Sequence, residues 1–436
     1  MSENPALAAG RGSRAAGTTA AQTRTMLWIL LTVYIFNFLD RQIVNILAEP
    51  IKADLGLSDT ELGLLAGPAF AVFYALLGIP IARHADKEGT NRVRLIALAL
   101  AIWSAMTAVC GLAQNFVQLL FARIGVGVGE AGCTPAAHSL ITDSVPAEKR
   151  SSAIAFYGLG IPIGSLFGLI LGGVVNDLYN WRVALMLVGA PGLLLALIVL
   201  FFMREPRHHR VAEVAKTAPV PLPAGAALRE IFGSRAFVYI LIAASVTAFL
   251  GYGKALWTIS FFIRSHGLST TEAGLSMAVV LGLAGIFGTW LGGKVADRFG
   301  TADKKHILTL PAYGMAAAAP VLFLGYHMQD WRVAVALLVV PTILNAAYYG
   351  PAYACVQGLV RPQARAVAAS IMLFGQNLIG LGFGPFLFGV LSDALAPAYG
   401  EESVRYVLYG AAWLGLIPAF FFWRASLRLG RELKSG

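Results

Sequence analysis

The chain has 436 residues, 57% hydrophobic and 13% charged, with 33 Lys and Arg against 23 Asp and Glu, a net charge of +10. Its mean hydropathy is +0.70, whereas a soluble globular domain is nearer half apolar and a quarter charged. Apolar runs of about 20 residues, each long enough to cross a ~30 Å hydrocarbon core, recur along the whole length, which excludes a soluble enzyme and predicts an all-α polytopic membrane protein. A β-barrel would show short alternating segments, and none occur.

In chain order, residues 1–25 carry Arg11, Arg14 and Arg24, the first 20 being rich in Ala, Gly, Ser and Thr. They have no apolar core of their own and read as a disordered cytoplasmic tail, not a signal peptide. Six spans follow near 26–48, 60–83, 93–113, 116–142, 151–175 and 183–203, forming a first bundle over 26–203. Residues 204–235 form a linker, basic and then Pro/Ala-rich; its His208–His209 pair reads as part of a solvated basic loop. Six more spans fall near 237–263, 272–296, 306–326, 332–359, 366–391 and 404–423, a second bundle over 236–424, before a cytoplasmic tail at 425–436. With the N-terminus inside, the inner segments collect 25 Lys and Arg and the outer loops five: Lys52, Arg182, Arg264, Arg332 and Arg405. Positive charge concentrates on the cytoplasmic side of membrane proteins, so both termini are expected in the cytoplasm. The basic charge is then a topology signal and not a sign of nucleic-acid binding. Cys110, Cys133 and Cys355 lie inside apolar spans at spacings that suit neither a metal site nor a disulfide framework. Short loops and the lack of an N-x-S/T sequon point to a bacterial inner membrane.

The two halves repeat. "ARHADKEG" (82–89) answers "GKVADRFG" (293–300), "PAEKRSSAIA" answers "RPQARAVAAS", and Pro135 answers Pro351, at offsets between 211 and 216 residues. Internal repeats with a site between them are the architecture of secondary transporters. Twelve spans, a six-plus-six repeat and a charged G-x-x-x-D-[RK]-x-G loop in each half resemble the major facilitator superfamily. The second loop matches in full through Gly293, Asp297, Arg298 and Gly300; the first has Ala82 in place of the leading Gly, followed by Asp86, Lys87 and Gly89. The resemblance implies cytoplasmic gate roles for Asp86, Asp297 and Arg298.

Four ionisable residues interrupt the first-half spans in a telling way. Asp40 and Arg41 sit side by side in "YIFNFLDRQIVNIL", and Arg123 precedes Glu130 by two helical turns in span four, on one face. A charge at such depth costs at least ~2.5–3.5 kcal/mol on insertion scales and usually faces a protein interior or wet cavity. At ~1.5 Å per residue, Asp40 is roughly 21 Å from the inner end of span one and Arg123 roughly 10 Å from the outer end of span four. In a ~30 Å core these levels nearly coincide, so Asp40 and Arg123 are the expected pair. Glu130 is expected roughly 10 Å nearer the cytoplasm, holding a proton until a cation or water approaches, with Arg41 free to swing between the acids. A static network that fixes helix packing is the alternative. The string "GVGEAG" (127–132) matches G-x-G-x-x-G but lacks the preceding strand and helix N-terminus that a dinucleotide needs. Gly125 and Gly129, like the ladder Gly160, Gly164, Gly168 and Gly172, read as small-residue faces for close helix packing.

Within the superfamily, "NFLDR" and "ARIGVGVGEA" resemble the paired motifs of spinster-like transporters, with Asp40, Arg41, Arg123 and Glu130 at the matching places. That resemblance implies transport of lysophospholipids or sphingosine-1-phosphate and proton coupling through these four residues. Organic-anion:proton symporters carry similar strings, and Lys254 stands where a spinster-like span seven has a small residue. The second half is nearly free of membrane charge. Arg41, Lys254, Trp257, Asn345, Tyr348 and Asn377 are the candidate substrate-binding residues: cations for a phosphate or carboxylate head, amides and aromatics for the rest. Tyr349, Tyr353 and Phe261 could line an acyl-chain pathway, and Lys254 could instead snorkel outward. The expected function is proton-coupled transport of a lysolipid or related amphiphile, by a monomer in the bilayer and without a cofactor. The rivals are an organic-anion or drug transporter on the same fold and a receptor that has lost transport; no nucleophile–base pair, metal cluster or phosphate loop supports an enzyme.

Overall fold

The computed structural model describes residues 20–87, 89–146, 149–206, 224–300 and 303–433. Residues 1–19 of the expected tail and the His208–His209 pair lie outside them. Among the described residues every regular element is helical. Ten helical spans run Ala21–Ile46 (α1), Asp59–Asp86 (α2), Arg92–Cys110 (α3), Phe116–Ser144 (α4), Ser152–Leu178 (α5), Trp181–Phe202 (α6), Arg235–His266 (α7), Thr270–Gly300 (α8), His306–His327 (α9) and Trp331–Leu359 (α10). The remaining helical stretch is folded back on itself. Gly400, at φ +57°, turns the chain, Ser392 and Ser403 meet at 2.8 Å, and the Tyr399 and Tyr406 rings stack at 3.8 Å. This makes α11 (365–399) and α12 (403–432) antiparallel neighbours, and twelve spans in all.

A helix emerging from a bilayer must satisfy its first N–H groups outside the hydrocarbon, and polar caps do so here. Ser58, Asn91, Asn115, Asn180, Ser234, Ser269 and Asp330 each accept a backbone N–H at the start of a span. Two short helices were not foreseen: Ala48–Leu55 beyond α1, and Ala224–Gly233 inside the expected linker. The second buries Ala227 and Ile231. The last helix continues to Glu432, past residue 424. Large apolar side chains such as Phe121 and Phe201 are exposed on the perimeter, as suits a chain whose outer solvent is lipid.

Close packing inside rests on glycine. A Cβ at Gly164 would strike Ile35 and Phe38, and one at Gly168 would lie 2.7 Å from the Leu39 carbonyl oxygen. The α5 ladder therefore seats directly on α1. Gly129 likewise brings α4 against Trp103 of α3, where a Cβ would stand 2.6 Å from the backbone nitrogen. Seven spans are irregular, α2, α5 and α12 through one-residue breaks at Gly67, Leu159 and Gly415. The first segment of α4 ends at Glu130 and the second starts at Cys133; α10 is divided between Ala346 and Tyr349. α8 and α11 contain π-helical segments, Ala278–Leu283 and Gln376–Phe383, a form that frequently occurs at functional sites.

Gly168→Ala is expected to weaken the α1–α5 contact by about 1–3 kcal/mol through overpacking. Gly78→Ala, where nothing lies within 4 Å of the added Cβ, is the control and should leave stability nearly unchanged. Thermal melts in detergent compare the two; equal melting temperatures would refute a tight helix contact at Gly168.

Candidate functional site

Glu130, the last residue before the break in α4, is 0% exposed. Arg41 of α1 answers it: Nε donates to Glu130 Oε2 at 2.8 Å, and Nη2 stands 2.8 Å from the same oxygen. The guanidinium is enclosed by Phe38, Phe70 and Tyr74, with ring centroids 5.0, 5.0 and 4.7 Å from Cζ. Such cation–π contacts reach ~2 kcal/mol when desolvated. Asp40 faces α3 instead, where Thr107 Oγ1 donates to Oδ2 at 2.8 Å; its Oδ1 has no hydrogen-bond partner among the described residues. Arg123 lies 5.4 Å from the Phe70 centroid and points Nε at the Leu65 carbonyl, 3.4 Å away.

The four charges thus gather as expected, but the pairing is different. Asp40 and Arg123 do not form an ion pair; Arg41 and Glu130 do. Matching depth was not enough, because side chains tilt toward the N-terminus of their own helix. α1 starts at the end of the bundle that holds both termini, and α4 starts at the opposite, distal end. Arg41 therefore leans toward Glu130, while Arg123 leans distally, away from Asp40 and toward Leu65 near the start of α2. The cluster is neutral overall, with one pair closed.

Beside it lies a cavity of ≈ 370 Å³, walled by the second half, with Gln42 and Ser165 contributed by α1 and α5. Its far wall is apolar, formed by Met277, Val280, Met315, Leu322 and Leu338. Lys254, Asn345 and Tyr348 of the sequence candidates line it, together with Tyr349; Arg41, Trp257 and Asn377 do not. Trp257 is 1% exposed and committed to structure, its Nε1 donating to the Pro385 carbonyl at 2.8 Å. Asn377 gives way to its neighbour Gln376, which lines the cavity. Phe261 and Tyr353 also lie off the cavity wall, Tyr353 donating to Gln376 at 3.3 Å. Lys254 has no hydrogen bond or ion pair among the described residues, which leaves a cation facing an apolar cavity.

At the end that holds the termini, Asp86 accepts from Ser139 Oγ at 3.1 Å. Ser139 also receives Arg92, which is fully buried, pairs with Asp143 at 2.6 Å and grips Glu205 through its guanidinium and its backbone N–H. This cluster escaped the sequence reading, because Arg92, directly after the Asn91 cap, resembles an ordinary loop cation. Asp297 is exposed at the end of α8, and Arg298 lies over the Phe299 ring. At the distal end the halves are joined. Arg264 of α7 holds Glu49 at 2.7 and 2.9 Å and Asp59 at 2.7 and 2.8 Å, while Lys52 and Ser392 also bind Asp59. Lys52 and Arg264 had been counted only as outer-loop charges. Nearby, the hydrogen bond from Arg182, with help from Trp181, holds the Asp54 carboxyl below the usual carboxylate range.

Residues 30–385 match the sequence model of the Major Facilitator Superfamily. The chain is 32% identical over 408 residues to an MFS-type efflux pump of Mycolicibacterium smegmatis, covering 93% of each. It is 25% identical over 435 residues to Protein spinster homolog 1 of Homo sapiens, covering 94% of this chain and 81% of the relative. A crystal structure of a bacterial homolog of the human lysosomal transporter Spinster, inward-facing and unoccupied, superposes with a TM-score of 0.89 at 31% identity, over 96% of this chain and all of that one. The occupied form of that homolog gives 0.82 at 30% identity.

Removing one partner of a buried ion pair strands the other charge, at about 3–5 kcal/mol. Arg41→Ala should therefore lower the detergent melting temperature more than Arg41→Ala combined with Glu130→Gln. If the double variant melts no higher, Arg41 stabilises through its aromatic neighbours and not through the Glu130 charge.

Proposed function

The chain belongs to the major facilitator superfamily and is spinster-like, and from that premise we propose that it is a proton-coupled transporter of lysophospholipids or related amphipathic anions. It works by alternating access in the plasma membrane of a bacterium, as a monomer with both termini in the cytoplasm, driven by the proton gradient without a cofactor. The observation that carries this reading is the position of the Arg41–Glu130 pair, one residue from Gln42 on the cavity wall.

An anionic head group entering the cavity meets Lys254 and approaches Arg41, which stands behind the wall beside Gln42. As it draws Arg41 away, Glu130 is left buried without a counter-charge and takes a proton, because a desolvated carboxylate is stable only when paired or neutral. Anion and proton binding then favour one another. The apolar wall around Met277 and Leu338 suits an acyl chain, and Asn345, Tyr348 and Gln376 offer hydrogen bonds to the polar middle of such a molecule. The distal junction at Asp59 and Arg264 keeps this conformation closed to the outside, in accord with the likeness to an inward-facing relative. Asp86, Asp297 and Arg298 then belong to a cytoplasmic gate that closes in the opposite conformation.

Export of small organic anions or drugs through the same cavity is the second reading, favoured by the likeness to an efflux pump. Flux of labelled lysophospholipid in proteoliposomes, with and without a pH gradient, separates them. Gradient-dependent flux is expected in the wild type and should be lost in Glu130→Gln while ligand binding persists. Lys254→Ala should weaken phosphorylated ligands more than neutral ones. Absence of lipid flux in verified proteoliposomes would move the assignment to small organic anions, and no flux of either would mark a receptor.

A further inference from the structure

The distal closure is built twice from one pattern. "GLSDTELG" (56–63) opens α2 and "GLSTTEAG" (267–274) opens α8, 211 residues apart; "GVVND" (173–177) ends α5 and "GVLSD" (389–393) lies near the end of α11, 216 residues apart. These are the offsets of the other repeats. Each leading glycine, Gly56 and Gly267, holds a left-handed φ of 64° or 66° that closes the preceding helix. Each serine then forms a capping box. Ser58 accepts from Glu61 N at 3.1 Å while Glu61 accepts from Ser58 N at 2.8 Å; Ser269 and Glu272 do the same at 3.2 and 3.0 Å.

A capping box satisfies the N–H groups of the cap and of the third helical residue. The first and second N–H groups are left over, and in both helices the opposite half reaches across for them. Asp393 of α11 accepts from Asp59 N at 3.1 Å and from Thr60 N at 2.7 Å. Asp177 of α5 accepts from Thr271 N at 2.7 Å. The residue before each aspartate adds a second bond, Ser392 to the Asp59 carboxylate at 2.6 Å and Asn176 to Thr270 Oγ1 at 3.0 Å. Four glycines allow the approach. A Cβ at Gly63 would lie 2.5 Å from the Pro385 carbonyl oxygen, and one at the equivalent Gly274 would lie 2.5 Å from that of Leu169. A Cβ at Gly173 would meet the Thr270 carbonyl oxygen at 2.6 Å, and one at Gly389 would meet that of Asp59.

We propose that Asp177 and Asp393 are paired gate residues: each completes the N-terminal cap of a helix in the other half, and both caps must be released for the distal side to open. A carboxylate at a helix N-terminus also gains from the helix dipole, and this contact exists only while the halves meet. In the opposite conformation water takes over the exposed N–H groups, so the joints bias the conformational equilibrium without being needed to fold either half. The inference depends on alternating access and not on the identity of the substrate.

The test is a distance measurement between spin labels on Ala53→Cys and Ala398→Cys, exposed distal positions in opposite halves. Cys110, Cys133 and Cys355 are buried, so labelling falls on the introduced thiols. Asp177→Asn/Asp393→Asn keeps the shape of both side chains and removes the charge. It should move the distance distribution from one short population toward a longer, distal-open one, with each single variant shifted less. Unchanged distributions in a folded double variant would overturn the proposal. If the double variant does not fold, the single variants decide: a longer population in either supports the gate, and two unshifted distributions refute it. No substrate or proton gradient is present, so failure here is distinct from failure of the transport reading.

Discussion

The organisation of the first half follows from one buried contact, the bond between Arg41 and Glu130. Glu130 has no exposed surface and stands inside a membrane span, where an unpaired carboxylate is not tolerated. Arg41 can neutralise it only if α1, α2 and α4 approach closely, since Phe70 and Tyr74 of α2 enclose the guanidinium from the side. Glycine makes that approach possible. A Cβ at Gly127 would lie 2.5 Å from the Phe70 carbonyl oxygen, and the α5 ladder brings α1 inward from the other flank. The same contact borders the cavity through Gln42, so an event in the cavity has a short route to a buried charge.

A symmetric scaffold here carries asymmetric chemistry. α4 breaks after Glu130 and α10 after Ala346, at the 216-residue offset that also relates Pro135 to Pro351. The break in the first half presents a carboxylate; its counterpart presents Asn345 and Tyr348 to an apolar cavity. The proposed transport thus divides proton handling and ligand accommodation between equivalent places in the two repeats. At the distal end the chemistry stays symmetric in its caps, while Arg264, Glu49 and Lys52 add charge on the α2 side alone.

Much of this was legible in the amino-acid sequence, and the failures share a cause. Apolar length located the spans, and internal offsets located the halves. The spacing of Arg123 and Glu130, and of the α5 glycines, put them on faces that the structure uses. These are properties of single helices. Partner choice was not legible, because sequence spacing reports depth along a helix but not the direction a side chain takes toward its neighbours. Asp40 and Arg123 were matched by depth and lean apart. Trp257 was read as cavity lining and is spent on the Pro385 carbonyl. Gln376, at the start of a π-helical turn, was passed over for Asn377 beside it. The Arg92 cluster and the distal caps join segments distant in sequence. The caps nevertheless had a signal, the repeated G-L-S-x-T-E-x-G string, which could have been found by aligning the halves at their known offset.

The central claim is that substrate and proton meet at the Arg41–Glu130 bond. Reciprocal linkage requires that a ligand favouring protonation of Glu130 draw a proton from solution when it binds. The most direct measurement is proton uptake by the purified protein in weakly buffered detergent on addition of lysophospholipid, with Glu130→Gln in parallel. Uptake of about one proton per bound ligand, absent in the variant, is the predicted result. Ligand binding with no uptake, or with equal uptake in the variant, would contradict it and leave the pair a structural element of the bundle.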